Sequence, residues 1–169
     1  MAVTTLSGHV CRAIDFFNNN TVYIGVGRQT AWKDENKPDA PKVNMTEIEE
    51  PIGFKKVEKK YLIVPDDTNG TIIYRDGKWT IIPVSEAFSR VARWVYIECT
   101  LNYDEIPLGV YRQVGVLSEL KKASGVADTK NALAASEVAS QGHLLVVDNR
   151  IPTTRQKYQR ETLSFIIEF

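Results

Sequence analysis

The chain has 169 residues, 43% hydrophobic and 25% charged, which fits one globular domain, or one domain with a long excursion. Its 21 basic residues balance 21 acidic ones, so the surplus that neutralises phosphates in nucleic-acid binders is missing overall. No stretch approaches the roughly 20 apolar residues that span a bilayer, and MAVTTLSGHVCRAIDFF lacks the basic-then-apolar order of a secretory signal. The expectation is a chain made in a cytoplasm, without a nucleic-acid or membrane partner, whose zero net charge does little to keep copies apart.

Residues 7–18 carry Val10, Ile14 and Phe17 at the spacing of one helical face, with Ser7 as N-cap, and Asn18-Asn19-Asn20 ends the pattern. Cys11 in this helix and Cys99 form no CxxC pair and read as buried thiols, with a disulfide as the other reading. Thr21 to Val26 is a strand by its β-branched and aromatic content. Residues 28–52 hold several prolines, many polar residues and a lone Trp32, the composition of a long extended arm, and loops of this length are functional or disordered.

A β meander follows. Phe54 to Val64 reads as one strand, Asp67-Thr68-Asn69-Gly70 as a hairpin turn using the positive φ of Asn-Gly, then Thr71 to Arg75, a second turn at Asp76-Gly77, and Lys78 to Val84. Ser85 to Arg90 suits one helical turn. Arg93 to Leu101 and Gly109 to Leu117 suit strands. Residues 118–141 are a helical or mobile excursion, with helix-forming composition from Asp128 to Ala139. Leu144 to Val147 is a short strand ending at an Asp148-Asn149 turn, and the chain closes on an apolar strand through Phe169. About eight strands without βαβ alternation give a mainly β fold, sandwich-like and antiparallel, with one or two short helices; α+β is the alternative.

Little points to catalysis. The two histidines, His9 and His143, have no metal-ligand spacing, and no nucleophile elbow is present. Gly25-Val26-Gly27 lacks the third glycine and the helix of a phosphate loop, so these glycines serve a bend or a close approach. Asp66-Asp67 fails the EF-hand spacing and belongs to a turn. The carboxylates at Asp34, Glu35, Glu47, Glu49 and Glu50 read as solvated faces. Arg150, Arg155 and Arg160 either clamp acidic groups of a neighbouring subunit or lie in a solvated segment.

VYIGVGRQTAWKDENKPDAP, residues 22–41, runs an aromatic strand into Gly-Arg, a small residue, Trp and an acidic, Pro-containing loop. With YRQVGV (111–116), DNR (148–150) and RQKYQRETLSFIIEF (155–169), it resembles T4-type phage baseplate wedge proteins and related tail proteins of contractile-tailed phages. The resemblance covers about half the chain. It implies a β-rich virion subunit present in several symmetric copies, contacting other tail and baseplate proteins, without catalytic activity or cofactor. A neck or tail connector is the alternative, followed by a small particle-associated hydrolase or a glycan-binding module. The interface candidates are Tyr23, Arg28, Trp32, Arg112, Arg150 and Arg155. Trp and Arg are favoured at interface hot spots, so Trp32 and Arg28 organise the arm unless Trp32 folds back onto its own core.

Overall fold

The structure, a computed structural model, describes residues 2–169. Its elements in chain order are α1 (Leu6–Asn18), β1 (Tyr23–Gly27), β2 (Gly53–Lys56), β3 (Lys59–Pro65), β4 (Ile72–Tyr74), β5 (Gly77–Ile81), β6 (Trp94–Leu101), β7 (Gly109–Ser118), β8 (Lys121–Lys122), β9 (Ala132–Ala134), β10 (Val138–Ser140), β11 (His143–Arg155) and β12 (Glu161–Glu168). Single 3-10 turns lie at Val84–Glu86 and Ala135–Glu137. The fold is mainly β, with three antiparallel sheets and one α-helix.

Two compact units make up the chain. The first contains the N-terminal residues through Asn20, Glu58–Glu98 and Ser164–Phe169. Its helix α1 is capped by Thr5, whose hydroxyl accepts from Gly8 N at 3.2 Å, so the cap is Thr5 and not Ser7. The buried face is Val10, Ala13 and Phe16, one residue away from the face expected around Ile14 and Phe17. This turns Cys11 outward, and of the two cysteines only Cys99 is buried.

The sheet of this unit runs β12-β6-β3-β5-β4. The Tyr74 hydroxyl in β4 donates to the Ser164 carbonyl in β12 at 3.4 Å, so the sheet curls until its two edge strands come within reach. Trp79 and Trp94 meet on it edge to face at 5.7 Å.

The meander differs from its sequence reading in two ways. First, Phe54–Val64 is not one strand. It breaks at Val57-Glu58, where Val57 N donates to Val22 O and Glu58 N to Glu98 O, so β2 and β3 enter different sheets. Second, β5 and not β4 lies beside β3, with Val64 opposite Thr80. The intervening loop is too wide for a tight Asn-Gly hairpin. It is held by Asp66, whose carboxylate accepts from Asn69 N at 2.9 Å and from the Thr80 hydroxyl at 2.8 Å. Neither Asn69 nor Gly70 has positive φ. Gly70 is needed because a Cβ there would stand 2.5 Å from both Asp66 O and Trp79 N. The β4–β5 turn does use positive φ, at Arg75 (φ 52°).

The second unit is Thr21–Val57 with Cys99–Leu163. Its main sheet runs β11-β7-β1-β2-β9, and a small sheet pairs β8 with β10. Every residue of β1 is buried, as suits a strand in mid-sheet. Tyr23, Ile48, Phe54, Leu117, Leu120 and Leu133 form a core cluster. Gly25 lets a bulky group approach, since a Cβ there would stand 2.7 Å from the Phe54 ring. From Asp128 to Ala139 the helix expected from composition is replaced by β9, one 3-10 turn and the start of β10. Packing wins over propensity here: Leu133 pairs with Phe54 and is fully buried. The short strand at Leu144–Val147 continues past Asp148-Asn149 to Arg155, absorbing two register shifts against β7 instead of turning.

Candidate functional site: the anchored loop at residues 28–52

The loop leaves β1 at Gly27 and re-enters the sheet at β2, with no helix or strand between. Its two ends are joined at the base. Arg28, in left-handed conformation (φ 54°), donates its N–H to Glu49 O at 2.5 Å, and its guanidinium pairs with the Glu49 carboxylate. The Glu50 carboxylate accepts from Gln29 N (2.8 Å), Thr30 N (2.7 Å) and the Thr30 hydroxyl (2.7 Å). These bonds, the Thr30 hydroxyl first, hold the Glu50 carboxyl below its ordinary value.

Beyond the base the loop lies along β7 and β11 of its own unit. Trp32 is buried. Its indole Nε1 donates to Arg150 O at 2.8 Å, and the Arg28 guanidinium stacks 3.9 Å from the ring centroid. Arg112, in β7, is 8% exposed, and its Nε lies 3.0 and 2.8 Å from the two Glu35 oxygens. Its terminal nitrogens reach Glu35 and the Gln29 carbonyl, each at 2.5 Å. The hydrogen bonds to Arg112 depress the Glu35 carboxyl and raise the guanidinium in return. Gln113, wholly buried beside Arg112, accepts from Glu49 N at 2.8 Å and donates to Asn149 Oδ1 at 2.9 Å; Asn149 donates to Asp39 O at 2.8 Å. Gln141 clasps the Ile48 backbone from both sides (2.8 and 3.1 Å). A cleft of about 130 Å³ remains between Arg28, Trp32, Lys42 and Met45 on the loop and Gln113 and Asn149 beneath it.

Four of the six interface candidates therefore meet here: Arg28, Trp32, Arg112 and Arg150, the last also paired through its side chain with Asp148 at 2.8 Å. Two lie elsewhere. Tyr23 is in the core cluster, and burial raises its phenol pKa. Arg155 is buried at the end of β11, donating to the carbonyls of Ile106, Pro107 and Asn102. Arg160 bonds Asn102 Oδ1 at 3.1 Å. The residues missed from sequence are Glu35, Glu49, Glu50, Gln113, Gln141 and Asn149. The acidic ones read as solvated faces, yet three of them fasten the loop. A signal was present: Arg112-Gln113 interrupts an apolar strand, and a charge buried there needs a partner from outside it.

Every carboxylate of this site that contacts the sheet is matched by an arginine or by backbone N–H groups, an arrangement suited to holding a surface in shape. Among the described residues no group of three or more His, Cys, Asp or Glu could hold a metal ion. Among the described residues no helix is long and apolar enough to cross a membrane.

Comparison with known proteins gives the class first. Virion protein 3 of Enterococcus phage phiEF24C is 32% identical over 156 residues, covering 89% of this chain and 85% of that protein. The chain is thus similar to a phage virion component. More narrowly, residues 1–169 match the family described as baseplate wedge 3 tail fiber network component, and the chain belongs to that family. It is a structural subunit of a phage baseplate, as the resemblance to wedge proteins implies.

Proposed function

We propose that the chain acts in the baseplate by adhesion and not by turnover, and that residues 28–52 are the arm that meets neighbouring tail proteins. The observation carrying this reading is the way the loop is mounted. Its base and one side are fixed by Glu35, Glu49, Glu50, Trp32 and Gln113, while residues 39–44 all present exposed side chains. A surface ordered in advance loses little conformational entropy when a partner binds. Arg28, Trp32, Arg112 and Arg150 set the course of the arm, and the buried Tyr23 and Arg155 brace the sheet beneath it. In this reading the subunit occurs in several symmetric copies, meets proteins and neither nucleic acid nor membrane, needs no cofactor and assembles in the host cytoplasm.

Replacing residues 40–44 by a Gly/Ser stretch of equal length tests the arm. The variant should fold, with an unchanged circular dichroism spectrum, and fail to enter baseplates. Normal incorporation would remove the arm from the interface, and substrate turnover by the purified chain would end the non-catalytic reading.

A further inference from the structure

Strand β11 is the longest in the chain at 13 residues, and its sheet leaves one side of it without a neighbour. The opposite edge, β9, has three residues. An open edge offers a row of backbone N–H and C=O groups that another strand can take, and proteins cover, bulge or charge such edges when they are to stay single. The second half of β11 is treated in that way. Its register shifts between Asn149 and Thr153, Pro152 has no N–H to offer, Trp32 occupies the Arg150 carbonyl and Asn149 is tied to Asp39. The first half carries a bulge of its own at Leu145, but no proline and no hydrogen-bonded cover. Among the described residues, none outside β7 hydrogen-bonds to the backbone of residues 144–148, a stretch that reads Leu-Leu-Val-Val-Asp.

Beside this open half lies a groove of about 290 Å³, with Leu144–Val147 as one wall and Pro41, Val43 and Met45 of the arm as the other. Leu145, the residue left over by the register shift, is 45% exposed, and Val43 is fully exposed. One charge lines the groove, Lys42, which has no ion pair among the described residues.

We infer that residues 144–148 accept an extended β-strand of another tail protein, which pairs with the free backbone edge, seats an apolar side chain between Val43 and Leu145 and sets a carboxylate opposite Lys42. Backbone pairing supplies the attachment, and the groove with its cation supplies the selection. A second copy of this strand is the poorer occupant. Its stretch Leu144–Val147 has no carboxylate to answer Lys42, and Asp148 is already paired with Arg150. The inference rests on the reading of the chain as an adhesion subunit and names the kind of partner.

Amide hydrogen exchange, measured on the isolated chain and on purified baseplates containing it, tests this directly. Amides of residues 144–148 that face away from β7 should slow about tenfold or more on assembly. Leu145→Lys should lower incorporation by about tenfold, one unfavourable groove contact in the free-energy arithmetic of binding. Leu145→Val and Ile73→Lys, at an exposed site in β4 of the first unit, should enter normally. Unchanged exchange at 144–148 in baseplates that contain the chain would overturn the inference, as would protection that appears in the isolated chain as its concentration rises. The Gly/Ser variant at 40–44 removes Lys42 and Val43 together with the arm, so its normal assembly would overturn the groove contacts as well, whereas Leu145→Lys leaves the arm intact and decides the strand by itself.

Discussion

The indole Nε1 of Trp32 donates to the backbone carbonyl of Arg150 at 2.8 Å, joining two residues 118 positions apart. The same ring is 5% exposed and carries the Arg28 guanidinium on its face. Two variants separate these contributions. Trp32→Phe keeps most of the burial and loses the hydrogen bond, at a cost of about 1 kcal/mol. Trp32→Ala loses the packing as well and should cost about 3–5 kcal/mol. Urea unfolding of the purified chain gives the energies, and limited proteolysis shows whether residues 33–47 come loose. An alanine variant as stable and as protease-resistant as its parent would make the indole a bystander.

The loop should also be acid-labile. Glu35 and Glu50 both ionise below their ordinary value of 4.5, Glu35 mainly because Arg112 hydrogen-bonds it and Glu50 mainly because of the Thr30 hydroxyl. A folded-state pKa below the unfolded one means the contribution is complete above the unfolded value and fades as pH falls through the depressed one. The arm is therefore fully held at neutral pH and loosens as pH falls below the ordinary carboxylate value and through the depressed ones. Amide exchange at Gln29 and Thr30, corrected for intrinsic rates, should accelerate in that window relative to amides of β7. Glu35→Gln should remove part of the pH response. A flat profile from neutral to strongly acid pH would mean these carboxylates do not hold the loop.

Much of the fold is legible in the sequence because its central strands are locally unambiguous. Tyr23–Gly27, Trp94–Leu101 and Gly109–Ser118 are apolar, β-branched and aromatic, and their burial matches that content. What the sequence hides is which strand pairs with which. The break at Val57-Glu58 falls in the charged run Lys55-Lys56-Val57-Glu58-Lys59-Lys60, but where each side goes is set by partners, Val22 and Glu98, from distant segments. Asn69-Gly70 carries the sequence of a tight turn, but the carboxylate of Asp66 organises a wider loop around it. The candidate site was legible by half. Arg28 and Trp32 stand out as unusual residues in a Pro-rich stretch, whereas Glu35 acquires its role only when β7 brings Arg112 under the loop.

Gly25 offers a test of the packing around mid-sheet. It faces Gly115 across β1 and β7, and a Cβ at Gly25 would stand 2.7 and 2.9 Å from two ring carbons of Phe54 and 3.1 Å from a Leu117 methyl carbon. Phe54 is itself 1% exposed, so the ring has nowhere to retreat. Gly25→Ala should therefore cost about 1–3 kcal/mol, although alanine suits a strand no worse than glycine. Adding Phe54→Leu should recover part of the loss, making the pair non-additive. Thermal denaturation of the two single variants and the double variant measures the coupling. Simple additivity would mean that the ring does not set the limit.

Arg155 makes the strongest prediction about stability. It is 6% exposed, and its guanidinium donates to Ile106 O at 3.0 Å, Pro107 O at 2.7 Å and Asn102 O at 2.8 Å, with Glu161 3.7 Å from its Nε. One side chain thus satisfies three carbonyls of the segment between β6 and β7. Burial is the main influence on this arginine and lowers its pKa, opposed by the charge of Glu161. Arg155→Leu fills similar space but leaves those carbonyls and Glu161 without their cation, and should cost about 3 kcal/mol or more. Arg155→Lys keeps the charge on a single ammonium that cannot span the carbonyls, so it should fall between leucine and the parent. Arg160, exposed and hydrogen-bonded to the Asn102 side chain at 3.1 Å, is the control; Arg160→Leu should stay within about 0.5 kcal/mol. Urea midpoints for the three variants rank the effects. If Arg155→Leu proves no worse than Arg160→Leu, the carbonyls are satisfied without the guanidinium, and its place at the end of β11 is incidental to stability.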